Sequence, residues 1–177
     1  MLNVTEGRNE LAKYFKGRGA EIGVEQGAYS EVICKANPET TLYCVDAWRA
    51  YKGYRDHTRQ SKLDGFYETT IARLKPYNAT IIRKFSMDAV DDFPDQSLDF
   101  VYIDANHSYE NVITDIYFWS AKVKKGGLIA GHDYIRRKGQ DEFYGVVDAV
   151  NEYLKGYPSP LFIFRGDEVP SWLFINV

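Results

Sequence analysis

The residues best suited to chemistry fall in two short runs. Asp104-Ala105-Asn106-His107-Ser108-Tyr109 sets a carboxylate three residues before an imidazole, and Gly131-His132-Asp133-Tyr134 sets an imidazole beside a carboxylate. Each run follows an apolar stretch of strand type, Leu98 to Ile103 and Leu128 to Ala130. Imidazole titrates near neutrality, so a histidine held against carboxylates can take and return a proton. The same atoms suit a divalent cation. A lone histidine is more often structural, whereas His107 and His132 flank neighbouring strand ends and read as a site.

A third run, Glu21-Ile22-Gly23-Val24-Glu25-Gln26-Gly27, places two glycines four apart at a strand-to-helix turn. Glycine there permits positive φ and close approach of backbone to a ligand. Glu25 stands where a dinucleotide fingerprint has its second glycine, and a carboxylate sits badly against a pyrophosphate. A ligand without phosphates fits better, which disfavours a nicotinamide oxidoreductase. Asp46 ends the next strand, 23 residues beyond Gly23. Folds that bind nucleosides place an acid there on the ribose hydroxyls, the alternative being a helix cap or a solvated turn.

These residues must be carried by alternating strands and helices. Strands are expected at Ala20–Val24, Thr41–Val45, Thr80–Lys84, Leu98–Ile103, Leu128–Ala130, Leu161–Phe164 and Trp172–Ile175. Helices are expected at Ser30–Asn37, Asp64–Leu74, Asp88–Asp92, Tyr109–Ser120 and Gly145–Leu154, with Lys124-Lys125-Gly126-Gly127 as a break before the fifth strand. The implied fold class is α/β, a Rossmann-like three-layer sandwich. Its seven-stranded sheet is mostly parallel, and the last strand is antiparallel because the link from Arg165 to Pro170 is too short for a crossover helix. Ligands of such sheets bind beyond the carboxyl ends of the strands.

Length and composition agree with one domain spanning 1–177. The net charge of -3 supplies no basic face for nucleic acid and no attraction to an anionic membrane. No apolar run is long enough to span a bilayer, and Met1 to Glu6 lack a secretory signal, so a cytoplasmic protein is expected. Cys34 and Cys44 are then expected as buried free thiols. The aromatic residues between Trp48 and Tyr77 either pack in the core or line an acceptor pocket.

Taken in order, Glu21-x-Gly23-x-x-x-Gly27, Asp46, the run Asp99 to Tyr109, and Lys125-Gly126-Gly127-Leu128-Ile129-Ala130-Gly131-His132-Asp133 resemble the class I S-adenosylmethionine-dependent methyltransferases. The likeness is greatest to the small bacterial branch with a D-x-x-H-x-Y and a G-G-x-I-x-x-H-D segment, similar to catechol-type and antibiotic-sugar O-methyltransferases. It runs from about Ala20 to Asp133. The resemblance implies that Glu21, Gly23 and Gly27 shape the pocket for the methionine part of the cofactor and that Asp46 holds its ribose. Ser86 and Met87 match adenine-contact positions, with Met87 departing from the A-S-Q-D pattern of the catechol enzymes. Asp104, His132 and Asp133 match the ligands of a divalent metal, Mg²⁺, Mn²⁺ or similar. The sugar enzymes also place a histidine three residues beyond the first ligand, and His107 matches it.

The expected function is transfer of a methyl group from S-adenosylmethionine to a small molecule at a hydroxyl. His107 and Asp104 are the catalytic pair, and a metal assists or is dispensable, since imidazole at His132 suits Mg²⁺ poorly. The alternatives are metal-independent N- or C-methylation, hydroxylation as in a related bacterial group, and a non-catalytic cofactor-binding module acting through a partner. Acceptor selection is left to the 47–60 segment, read as a lid, to the Arg136–Phe143 loop, or to a second subunit of a homo-oligomer.

Overall fold

The computed structural model describes residues 1–51, 59–136 and 144–177. The strands are β1 (Leu2–Val4), β2 (Arg18–Ile22), β3 (Thr41–Asp46), β4 (Ala79–Arg83), β5 (Leu98–Ile103), β6 (Val123–Gly131), β7 (Phe162–Phe164) and β8 (Ser171–Ile175). The helices are α1 (Arg8–Leu11), α2 (Ala28–Ala36), α3 (Gln60–Leu74), α4 (Ser86–Ala89), α5 (Tyr109–Lys122) and α6 (Val146–Tyr153). One sheet takes all the strands in the order β1-β7-β8-β6-β5-β2-β3-β4. β8 alone opposes its neighbours, running antiparallel to both β6 and β7.

Three features differ from the sequence expectation. The sheet has an eighth strand: β1, only three residues long, pairs parallel with β7 and is too short to show an alternation of its own. The β7–β8 pair is antiparallel as expected, yet β8 lies between β6 and β7, and β1 takes the edge. Lys124 to Gly127 do not break the chain before a strand but belong to β6, whose register against β5 jumps from Leu98↔Val123 to Phe100↔Leu128. Gly126 absorbs the jump with φ +81. A β-carbon on Gly127 would strike the Asp99 carbonyl oxygen at 2.6 Å, so the bulge depends on both glycines.

Strand side chains alternate between faces, and this assigns every core residue to a layer. On one face Ala20, Ile22, Val45, Val101 and Ile103 pack with Val112, Ile116 and Trp119 of α5 and Val146 and Val150 of α6. On the other Leu42, Cys44, Phe100 and Tyr102 pack with Leu11 of α1, Phe15, Tyr29 and Ile33 of α2, and Leu63 and Leu74 of α3. Glu21 lies between Ala20 and Ile22 and therefore faces the α1–α2 layer. Both cysteines are buried and free. No helix among the described residues is long and apolar enough to cross a membrane.

Candidate active site

The carboxyl ends of β5, β2, β3 and β4 border one cavity of about 490 Å³, within the roughly 300–1,000 Å³ usual for small-molecule sites. Gly23, Asp46, Ser86, Met87 and Asp104 line it, so most of the residues singled out for a nucleoside-bearing ligand converge on one space. Gly23 adopts φ +87, and a β-carbon there would lie 2.1 Å from the Asp104 carbonyl oxygen. Only glycine lets β2 and β5 end this close together.

Asp46 organises the turn after β2. Its Oδ2 accepts the Val24 and Glu25 backbone N–H groups, both at 3.0 Å, and its Oδ1 accepts the Trp48 N–H at 2.8 Å. One carboxylate thus ties the glycine turn to the end of β3 while still bordering the cavity.

Glu21 and Gly27 do not line this cavity. Strand alternation turns Glu21 to the opposite face, where it is 1% exposed and accepts the Ser30 hydroxyl. Burial pushes its carboxyl up to about 8, against the Ser30 bond and the nearby Arg8 charge. Gly27 caps α2 in the left-handed region at φ +71.

At the β5 end of the cavity, side chains from the loops after β5 and β6 meet. His107 Nε2 lies 3.5 Å from Asp104 Oδ1 and 3.3 Å from Asp133 Oδ2. His132 Nδ1 lies 3.0 Å from Asp133 Oδ2 and 4.0 Å from Asp104 Oδ2. Burial works to raise both carboxyls, but the histidines, joined by Arg8 at Asp104, outweigh it and hold them below the usual range. The His107 ring stacks on Tyr144 at 5.6 Å, and its carbonyl accepts the Gly145 N–H at 2.8 Å. Asp133 takes φ +57, a left-handed turn that aspartate tolerates better than most residues.

The sequence reading placed His132 with Asp104 and Asp133 as metal ligands. Among the described residues, the set whose ligand atoms all lie within 4.8 Å of one another is Asp104, His107 and Asp133. His107 completes this cluster, while His132 contacts chiefly Asp133. Two carboxylates and an imidazole suit a cation such as Mn²⁺.

Arg8 was not foreseen. From the α1 face it brings Nη2 to 2.6 Å from Asp104 Oδ2, with its guanidinium 3.9 Å from the Tyr29 ring centroid. Asp115, also unforeseen, lines the cavity from α5. Its signal lay in the sequence, a carboxylate on a buried stripe of Val112, Ile116 and Trp119. Trp48 proves an anchor rather than part of a lid: it is 1% exposed and donates from Nε1 to the Glu25 carbonyl at 2.7 Å. Tyr51 lines the cavity, whereas Phe66, Tyr67 and Tyr77 pack against the core. Residues 52–58 of the expected 47–60 lid, and most of the second loop, 137–143, lie outside the described residues.

Comparison with known proteins agrees with this geometry. A family described as "Methyltransferase domain" matches residues 20–134, well over half of the chain. An uncharacterized protein of Sinorhizobium fredii, y4gI, is 25% identical over 122 residues. Those residues are 65% of this chain but only 12% of that protein, so the chain spans a small part of its curated relative's length. The fold is similar to TomG, an O-methyltransferase of Streptomyces achromogenes involved in tomaymycin synthesis and solved with S-adenosylmethionine (TM-score 0.70, 15% identity, 96% of this chain and 78% of that one). It is also similar to an O-methyltransferase of Bacillus cereus solved with S-adenosylhomocysteine (TM-score 0.69, 12% identity, 95% and 78%). A precorrin-6y C5,15-methyltransferase of Geobacter metallireducens shares the fold as well (TM-score 0.61, 14% identity, 94% and 84%). This chain belongs to the methyltransferase-domain family and has the fold of the class I S-adenosylmethionine-dependent methyltransferases.

Proposed function

We propose that this chain transfers a methyl group from S-adenosylmethionine to a hydroxyl of a small acceptor, with His107 receiving the acceptor's proton. When bound, S-adenosylmethionine supplies a methyl group on a sulfonium for in-line displacement. The cavity suits it, since Asp46 is a carboxylate at a ribose-binding position and no phosphate-binding loop is needed. The observation that carries the reading is His107 Nε2, held 3.3–3.5 Å from Asp133 and from Asp104, which lines the cavity; the acceptor's proton would then be taken at Nδ1. Asp104 and Asp133 orient the ring and favour its charged form once the proton arrives. A hydroxyl needs this help because it is a poor nucleophile while it keeps its proton.

A second reading is supported by the clustering of Asp104, His107 and Asp133. These residues would hold a divalent cation, which would act as a Lewis acid on the acceptor hydroxyl. His107 would then be a ligand, since the nitrogen facing both carboxylates is the one the cation needs. The 2.6 Å contact of Arg8 with Asp104 favours the metal-free reading, because the guanidinium already supplies a positive charge beside that carboxylate.

The test is release of S-adenosylhomocysteine in the presence of a panel of hydroxylated small molecules, with EDTA and with Mn²⁺. The proposal expects turnover that survives EDTA and is lost in His107→Ala. Turnover restricted to amines, or undiminished in His107→Ala, contradicts it. Turnover that requires Mn²⁺ selects the second reading.

A further inference from the structure

α1 is four residues long, too short to be stable alone, and its start is fastened by the far end of the chain. Its N-cap is Gly7, which has no side chain to accept the N–H groups of the first turn. Asp167, in the loop between β7 and β8, takes that part: its Oδ2 accepts the Arg8 N–H at 2.5 Å. The two loops fit closely. A β-carbon on Gly7 would lie 2.7 Å from this oxygen, and one on Gly166 would lie 2.5 Å from the Gly7 nitrogen. Beside them the Gly166 N–H donates to the Glu6 carbonyl at 3.0 Å, and the Arg165 N–H to the Val4 carbonyl at 2.9 Å.

What this fastening delivers is the Arg8 side chain. The Tyr29 hydroxyl donates to the Arg8 carbonyl at 2.9 Å, so the backbone of this one residue is gripped on both sides. The guanidinium lies 3.9 Å from the Tyr29 ring centroid and 5.2 Å from that of Tyr102, and Nη2 ends 2.6 Å from Asp104 Oδ2. The other oxygen of Asp104, Oδ1, is the one that faces His107 Nε2, at 3.5 Å. A carboxylate bonded at one oxygen by a charged donor does not turn freely, so Arg8 fixes the plane in which Asp104 meets the imidazole. Asp167 itself is exposed and does not line the cavity. Neither Arg8 nor Asp167 lies within 20–134, the stretch shared with the family, so the linkage comes from the parts of the chain that flank it.

We propose that Asp167 is a positioning residue of the methyl-transfer site. By bonding the Arg8 N–H it holds the guanidinium on Asp104 Oδ2 and, through that carboxylate, sets the direction of the His107 ring. Asp167 acts only through Arg8. Its bearing on turnover rests on the reading of His107 given above, whereas the chain of contacts does not.

The experiment compares nitrogen NMR spectra of the histidine rings in the full chain, all at one pH. The proteins are wild type, Arg8→Met, Asp167→Ala, Asp167→Asn and the double variant Arg8→Met/Asp167→Ala, with His107→Gln to assign the His107 signals. Arg8→Met should displace those signals, and Asp167→Ala should displace them in the same direction. Asp167→Asn should return them to the wild-type positions, because its amide oxygen still accepts the Arg8 N–H. The double variant should match Arg8→Met alone, since residues acting in one line are not additive. With an acceptor found by the panel above, kcat should fall in Asp167→Ala and Arg8→Met alike, by up to about 10²-fold, with KM for S-adenosylmethionine little changed. His107 signals unmoved in Asp167→Ala, or displaced further in the double variant than in Arg8→Met, overturn the inference. Signals unmoved in Arg8→Met overturn it even if Asp167→Ala folds poorly. The expected displacements together with full turnover in His107→Ala would uphold the linkage and overturn the His107 reading alone.

Discussion

Arg8 Nη2 and Asp104 Oδ2 lie 2.6 Å apart although 96 residues separate them in the chain. The pair joins α1, on one face of the sheet, to the strand end that opens the cavity on the other. Both side chains are largely shielded, at 25% and 17% exposure, so the contact outweighs an ordinary surface ion pair. It also sets a positive charge beside Asp104, which opposes a second cation there.

Removing that charge should alter metal binding. Arg8→Met keeps an apolar chain over Tyr29 but frees Asp104 Oδ2. Mn²⁺ affinity, measured by calorimetry or electron paramagnetic resonance, should rise by about tenfold, equivalent to about 1.4 kcal/mol. Unchanged affinity would show that Arg8 does not compete with a cation.

His107 should matter to turnover and hardly to cofactor binding. It meets the cluster at the β5 end but does not line the cavity. With a working acceptor, His107→Ala should lower kcat by about 10²–10⁴-fold, the usual worth of a positioned base. Its affinity for S-adenosylhomocysteine should stay within a few-fold of wild type. A large loss of affinity with kcat preserved would assign His107 to the cofactor.

Asp46 should affect both binding and stability. Three backbone N–H groups depend on its carboxylate. Asp46→Ala strands them, at a cost of about 1–3 kcal/mol if they find no water. Chemical denaturation and cofactor titration should both register the change. If stability falls but affinity is untouched, the carboxylate serves the turn alone.

Glu21 predicts a pH dependence. Its carboxyl is raised by burial to about 8 in the folded chain, against an unfolded value of about 4.3. The folded state therefore keeps a proton that the unfolded state has lost, and stability falls as pH climbs between those values. Glu21→Gln removes this dependence. Relative to wild type it should gain on the order of a few kcal/mol between pH 5 and pH 8.5, at about 1.4 kcal/mol per unit. Urea midpoints at the two pH values read the difference, and parallel behaviour of the two proteins would contradict it.

The frame of the site was legible because its elements obey simple periods. Leu98–Ile103 was read with the limits it has in the structure, since a buried parallel strand is a continuous apolar run between turn residues. Strand ends then pointed to Gly23, Asp46, Ser86, Met87 and Asp104, which share one cavity. The face that Glu21 points to is also implicit in the strand period. Arg8 had no local signal, because its partner is set by the packing of α1 against Tyr29 and Tyr102 and not by spacing. That His107 joins the Asp104–Asp133 cluster had no local signal either, since the direction of each ring depends on how the two loops fold over each other. β1 escaped notice because three residues pairing with β7 carry no pattern until β7 is in place.

The most direct test of the account is calorimetric titration of the wild-type chain with S-adenosylhomocysteine, in EDTA and again in Mn²⁺. Saturable one-to-one binding at about micromolar affinity, some 8 kcal/mol, in EDTA as in Mn²⁺, is the predicted result. Absence of binding under both conditions would contradict the claim that the cavity at the strand ends holds this cofactor.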